Sequence, residues 1–277
     1  MRDLANDLRW LAINSATIKS WPLQQQIEGC ARAGITGIAP WREGVAELGT
    51  ARTRELLRAH DMTVTCYCRG GFFTAADEAG RRAAIDDNRR AIDEAAETGA
   101  RCVVVVAGGL PPGSKDIVGA RQQVHDAMAA ILPHARAAKM PLAIEPLHPM
   151  TAADRCVVST LDQALDLCDA LGDGTGVALD TYHVWWDPGL SAAIARAGRR
   201  ILTYHVCDWL VPTVDLVSDR GMMGDGIIDL RSIRAMVEAA GYAGHCDVEI
   251  FSARNWWKRD PAEVLQVCVG RDRKSNV

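Results

Sequence analysis

Four separate strand-like runs of this chain each close on a side chain able to bind a metal, and that repetition limits the folds open to it. PLAIEPLHP closes an apolar run at Glu145, with His148 three residues on, and GVALDTYHVWW closes one at Asp180, with His183 three on. ILTYHVCDW places His205 three residues before Asp208, and HCDVEIFS ends on Glu249. Alternate side chains of a strand share a face. Glu145 then lies with Ala143, Asp180 with Ala178, His205 with Thr203, and Glu249 with Asp247. The opposite face takes Leu142 and Ile144, Val177 and Leu179, Leu202 and Tyr204, Val248 and Ile250. One face is small or polar and ends in a ligand; the other is bulky and apolar. That division predicts barrel strands wrapped by helices, with a site at the C-terminal strand ends.

Along the whole chain, short apolar runs alternate with longer amphipathic stretches. The first four strands are expected near Leu8–Asn14, Gly34–Pro40, Thr63–Cys68 and Cys102–Ala107. Helices are expected from Pro22 to about Ala33, around Ala51–His60, Ala75–Thr98 and Ser114–Lys139, with Ser114 as a helix cap. The four ligand-bearing strands are separated by helices near 160–171, 189–199 and 229–240, and a last helix begins near Pro261. Eight strands each followed by a helix, with no linker, predict one α/β domain over 1–277, a (β/α)8 TIM barrel. A doubly wound open sheet would need a glycine fingerprint after the first strand, where the chain reads Asn14-Ser15-Ala16-Thr17.

At 277 residues and 48% hydrophobic content, the chain can bury a core of that size. Its net charge of −4 lacks the basic excess of a nucleic-acid binder. Purely apolar runs reach six residues, as in Cys102–Ala107, far short of a membrane span, and MRDLANDLRW is mixed and charged. The expectation is a cytoplasmic protein with neither membrane nor nucleic acid as partner. The cysteine count of nine is odd and several fall inside strand-like runs, which fits buried free thiols. Cys66-Tyr-Cys68 lacks the two-residue gap of redox and zinc pairs.

Glu145, Asp180, His205 and Glu249 combine three carboxylates with one imidazole, a donor set suited to Mn²⁺ or Mg²⁺, with Co²⁺ as a substitute. Gaps of 35, 25 and 44 residues are too long for a local motif, so only the barrel unites them. These residues and their spacing resemble the sugar phosphate isomerase/epimerase family, the xylose isomerase-like barrels that include ketose 3-epimerases and inosose dehydratases. The resemblance spans essentially the whole chain and is sharpest from Glu145 onward. It implies that Glu145, Asp180, His205 and Glu249 bind the metal, and that Glu145 and Glu249 also move a proton. It matches His183 to the family's histidine after the sixth strand, and Arg220 in DRGMMGDG to its arginine before a Gly-Asp-Gly segment. A divalent ion on a carbonyl and a neighbouring hydroxyl would stabilise the enediolate formed by α-proton removal. His183 would hold a hydroxyl or act as base, and Arg220 would balance oxyanion charge. His148 and Asp208 are expected at or just behind the substrate.

Trp41, Tyr67, Phe72, Trp185, Trp186, Trp209, Phe251, Trp256 and Trp257 all fall at or just after strand ends, with at least three expected to pack loops. Aromatic faces stack on sugars, so Trp41 and Trp185 are expected to bind substrate and the mouth suggests a whole ring or glycoside. GGLPPGSK narrowly misses a phosphate loop, although Arg42, Arg69 and Arg254 offer cations for an anion. The leading expectation is a metal-dependent isomerase or epimerase of a non-phosphorylated ketose or keto-sugar. The alternative is a lyase that uses the same deprotonation for β-elimination, in 3-keto-glycoside cleavage or inosose-type dehydration. An apurinic-endonuclease-like barrel would need more ligands, whereas His60, His125 and His134 fall on helices. A sugar-binding barrel without turnover would not retain the full ligand set. The partner expected is a small carbohydrate; self-association, or association with another subunit, is left open.

Overall fold

The structure is a computed structural model and describes residues 7–275, so both ends of the expected 1–277 domain lie outside the described residues. The chain begins with β1 (Leu11–Asn14), α1 (Leu23–Arg32), β2 (Gly37–Ala39), α2 (Arg42–Leu48) and α3 (Thr50–Ala59). It continues through β3 (Thr63–Val64), β4 (Tyr67–Gly71), α4 (Glu78–Thr98), β5 (Val103–Val106), α5 (Ile117–Ala137), β6 (Leu142–Ile144) and α6 (Leu161–Leu171). After β7 (Thr175–Asp180) come α7 (Thr181–Val184), α8 (Leu190–Ala197), β8 (Ile201–Val206) and the short β9 (Asp208–Trp209) and β10 (Arg220–Gly221). The last elements are α9 (Leu230–Ala239), β11 (Cys246–Val248) and α10 (Pro261–Ser275).

Parallel pairing runs β3-β2-β1-β11-β8-β7-β6-β5-β4. The two ends of that order are consecutive in the chain, because β3 and β4 are halves of one expected strand. The first half pairs with β2, and the amide of Cys68 then donates to Pro40 at 3.1 Å beside a Trp41–Cys68 bridge. The ring therefore closes as an eight-stranded barrel. Two antiparallel residues on each side make β9 and β10 a hairpin over its rim. No described helix is long and apolar enough to cross a membrane.

Side-chain parity sorts as the sequence predicts. Ala143, Ala178, Val104, Cys66, Cys68 and Cys102 form a small-residue cluster inside the barrel. Leu142, Ile144, Val177, Leu179, Tyr204 and Val248 join the larger core between barrel and helices. All nine cysteines are buried and free. Leu202 departs from its expected outward place and packs on the interior cluster. The register of β7 against β8 slips there, since Val177 pairs with Ile201 but Ala178 with Thr203. Gly176 makes the room, for a Cβ there would lie 2.6 Å from Leu202 Cγ.

Helix edges follow local chemistry. Asp77 caps α4 by accepting from Gly80, and Gly99 ends it with φ +79. Its buried residues Asn88, Ala91, Ile92, Ala95 and Thr98 recur at helical spacing. Asp116, not Ser114, caps α5, because its carboxylate accepts from Gly119 while Ser114 only accepts from Asp116 itself. α2 was not foreseen; its seven residues bury Val45 alone, too little apolar pattern to read.

Gly71 ends β4 with φ +108, and a Cβ there would lie 1.8 Å from the Val106 carbonyl oxygen. Gly71→Ala should therefore lower stability by at least about 2 kcal/mol, read from urea unfolding. A loss within experimental error would mean the β4–β5 edge relaxes freely.

Candidate active site

The ends of β6, β7, β8 and β11 deliver Glu145, Asp180, His205 and Glu249 to one point. One ligand atom from each lies within 4.8 Å of all the others, and all four residues are buried. Donors about 2.0–2.4 Å from a shared cation span distances of this size. His205 Nδ1 stands 3.4 Å from Glu145 Oε1 and 3.7 Å from Glu249 Oε2. Neither Glu145 Oε1 nor His205 Nδ1 has a hydrogen-bond partner. A buried acceptor and a ring nitrogen that face one another without other partners fit a shared cation.

Charge points the same way. Two of the three carboxylates share a single guanidinium: Arg220 Nη1 donates to Asp180 Oδ2 at 2.8 Å and Glu249 Oε2 at 3.1 Å. Glu145 forms an ion pair with no arginine among the described residues, so the cluster keeps an excess of negative charge that a divalent ion would offset. Burial pushes the Asp180 carboxyl up to about 7 against the pull of Arg220, with Glu249 and Glu145 repelling it further. Burial alone would raise Glu249 too, but His205 and Arg220 outweigh it and hold that carboxyl well below the usual range. His205 is held well above the ordinary histidine range by the two glutamates, against its burial.

Support beneath the cluster comes from inside the barrel. Cys66 Sγ lies 3.4 Å from His205 Nε2, turning Nδ1 toward the carboxylates. Asp247 sits beside it, with one oxygen accepting from Thr65 at 2.9 Å and the other from Thr203 at 3.1 Å. Cys66, His205 and Asp247 also lie close enough to ligate, but the hydroxyls already occupy both Asp247 oxygens.

Asn14, at the end of β1, was missed in the sequence. Its Nδ2 donates to Glu249 Oε1 at 2.9 Å, while its Oδ1 accepts from Trp41 Nε1 at 2.7 Å and from Ala16 N at 3.0 Å. The only signal was a polar residue closing the first strand. Asn14→Ala should lower kcat by roughly 10–100-fold, since it frees Glu249 and Trp41 together. Wild-type turnover in that variant would make Asn14 a packing residue only.

His183, in α7, accepts the His148 backbone N–H at Nδ1, 3.1 Å away. A backbone amide can only donate, as can a guanidinium, and a neutral ring accepts at one nitrogen only, so Nδ1 competes for the acceptor role with Nε2. That nitrogen lies 3.1 Å from Arg220 Nη2 and 3.6 Å from Asp180 Oδ2. Burial and then Arg220 lower its basicity well below the ordinary value, which keeps the ring neutral. His183 and Arg220 thus form one hydrogen-bonded pair facing the cavity.

The cavity over the cluster is about 30 Å³ and is lined by Glu145, His183, Arg220 and Glu249, with Trp41 and Phe251 at one side. Arg69 and Arg155 also line it, and Arg155 was not singled out in the sequence. Several expected substrate contacts are corrected. Both Asp208 oxygens are taken by backbone amides, of Trp209 and Ile228 on one and Gly224 on the other. Asp208 therefore pins the β9–β10 hairpin that carries Arg220, and does not face substrate. Trp185 packs on Trp209 with ring centroids 5.5 Å apart and does not line the cavity. The His148 ring is likewise withdrawn against Trp209, while its backbone serves His183. Tyr67 bonds Glu94, and Trp256 is buried, so most of the expected aromatic mouth packs loops. Arg42 is spent on Asp87 and Glu94, and Arg254 is exposed.

A closed (β/α)8 barrel with a three-carboxylate, one-histidine centre at its C-terminal mouth defines the class. The chain belongs to the xylose isomerase-like TIM barrel family, whose model matches residues 27–267. It is similar to the inosose isomerase of Bacillus velezensis, 24% identical over 87% of this chain and 88% of that one. A crystal structure of a Sinorhizobium meliloti protein is 58% identical, with TM-score 0.96 over 97% of this chain and 99% of the other. The fold is also that of a structure of the IOLI protein with a bound zinc atom, at 21% identity and TM-score 0.82 over 96% of this chain and 98% of that one.

Proposed function

We propose that the protein is a divalent-metal-dependent isomerase or epimerase acting on a keto-sugar or related ketone by α-proton transfer. The observation that carries this reading is the contrast between its two glutamates. The Glu145 side chain has no hydrogen bond to any described residue, whereas Glu249 is tied through both oxygens by Asn14 and Arg220. A carboxylate free to accept a proton thus stands beside one held still. Glu145, Asp180, His205 and Glu249 would hold the ion, which supplies Lewis acidity that favours charge on a carbonyl oxygen.

Glu145 removes the proton on the hydroxyl-bearing carbon next to the carbonyl; the C–H electron pair forms the new C=C bond and the carbonyl π pair moves onto its oxygen, giving an enediolate. Arg220 Nη2 and His183 Nε2 lie 3.1 Å apart on the cavity wall, so an oxygen beside the pair would accept from the guanidinium as its charge grows. Returning the proton from Glu145 to the former carbonyl carbon, while the hydroxyl proton of the α-carbon passes to the former carbonyl oxygen, gives isomerisation. Return to the α-carbon from the other side, by Glu249, gives epimerisation; the tethering of Glu249 favours the first. Zinc in a structure of the same fold and the oxygen-rich donor set here leave the metal as Mn²⁺, Mg²⁺, Co²⁺ or Zn²⁺.

A second reading gains from one feature. A cavity of about 480 Å³ lined by Trp21, Trp257 and Lys19 adjoins the site, with Trp41 and Phe251 shared by both. An aglycone resting there would suit β-elimination from a keto-glycoside. NMR of ketoses and 3-keto-glycosides in D₂O separates the two. Deuterium entering at the α-carbon with no group lost supports isomerisation, and release of the aglycone supports elimination. No deuterium uptake from any keto-compound by metal-loaded protein would refute the proton-transfer reading.

A further inference from the structure

Building on the proton-transfer reading, we propose that the substrate carries an anionic oxygen group, a carboxylate or a phosphate, held by Arg69 and Arg155 in the mouth that Glu145 and His183 also line. Both arginines line the same small cavity as Glu145, His183 and Arg220. Neither forms an ion pair or a side-chain hydrogen bond with any described residue. Arg42 and Arg220, the other half-buried or buried arginines near this mouth, are each paired with two carboxylates. Two unpaired guanidiniums sharing a confined space repel each other, and a fold keeps such an arrangement for an anion. The strain shows at Arg155, whose charged form is disfavoured by burial and then by Arg69 and Arg220.

Both side chains are held in place ahead of any ligand. The Arg69 guanidinium lies 4.8 Å from the centre of Trp41 and 5.0 Å from that of Phe72, stacked by ring faces that leave its N–H edge open. Arg155 sits in a turn fastened to the barrel: its amide donates to Thr151 at 2.9 Å, Leu110 N donates to Ala153 O at 2.7 Å, and Val157 N to Gly108 O at 2.9 Å. Charge around the site agrees. Arg220 and a divalent ion together would offset Glu145, Asp180 and Glu249, which leaves Arg69 and Arg155 as positive charge at the mouth, offset in part by Asp154. Sugar hydroxyls have no use for two such cations, whereas an oxyanion takes bidentate bonds from a guanidinium.

The test uses Mn²⁺-loaded wild type, Arg69→Gln, Arg155→Gln and the double variant, each checked for metal content. Deuterium exchange is measured with D-fructose, D-fructose 6-phosphate and 5-keto-D-gluconate, alongside calorimetric titration with inorganic phosphate and with acetate. Wild type should prefer one of the anionic ketoses over D-fructose in kcat/KM by roughly 100-fold or more, through KM, as two charged hydrogen-bond donors imply. The preference should collapse in the double variant and survive in part in Arg69→Lys with Arg155→Lys. Equal use of D-fructose and both anions, or a preference that persists in the double variant, overturns the proposal. If no ketose exchanges but phosphate or acetate binds wild type and not the double variant, the anion site stands and the proton-transfer reading falls. Whichever of the two ions binds identifies the group.

Discussion

Glu145→Gln is expected to cut α-hydrogen exchange with solvent by roughly 10³-fold or more, the range for losing a positioned general base. The physical interest lies in what should not change. Glu145 makes no side-chain hydrogen bond with the described residues, so an amide of the same shape breaks none. It also removes one negative charge from three carboxylates served by a single guanidinium. The Tm of the metal-free variant should therefore equal or exceed that of metal-free wild type. Glu249→Gln should also lose exchange, yet it disturbs a residue held by Asn14 and Arg220 and so should lower Tm as well. Near-normal exchange in Glu145→Gln would move the base elsewhere. A large fall in its Tm would show that Glu145 is structural.

How far the sequence reached depends on what each residue does. The barrel and the four converging ligands were legible because they obey short-range rules. Alternation along a strand is set by backbone geometry, and Ala143 with Glu145 or Ala178 with Asp180 shows it without any tertiary information. Leu202 broke the rule because a register slip between β7 and β8 depends on the neighbouring strand, through the space Gly176 leaves. Residues that act on other residues were harder. Asp208 was expected to orient a neighbour, but not which one: its partners are the amides of Trp209, Gly224 and Ile228, up to twenty residues further on. Asn14 carries only the signal of a polar residue closing a strand, and Arg155 carries none. One reaches Glu249 across 235 residues of chain, and the other enters the site from a turn. The aromatic residues misled for a related reason. Position after a strand end says that a ring is near the mouth, not whether it faces the cavity, as Trp41 does, or packs a loop, as Trp185 does. The reading of an uncharged substrate leaned on those rings, and the two unpaired arginines weigh against it.

Asp180→Ala and His205→Ala should each abolish stabilisation by metal. A ligand that binds only the folded state adds about 2.7 kcal/mol at a hundredfold excess over Kd. For a chain of this length that is a rise in Tm of roughly 5–10 °C. Wild type titrated with Mn²⁺ should show such a rise, reversed by chelator, and both variants should show none. The two variants should differ without metal. Asp180→Ala removes a carboxyl that burial already pushes up to about 7, and leaves Arg220 with Glu249 as its remaining partner. His205→Ala removes the group between Glu145 and Glu249 and leaves two buried carboxylates facing a void. Removing one partner of a buried charged pair costs about 3–5 kcal/mol, so His205→Ala should be the less stable apo-protein. A Mn²⁺-dependent rise of equal size in wild type and both variants would place the ion somewhere other than this cluster. Proton transfer by Glu145 would then have to proceed without a cation beside it, which the observed deficit of positive charge opposes.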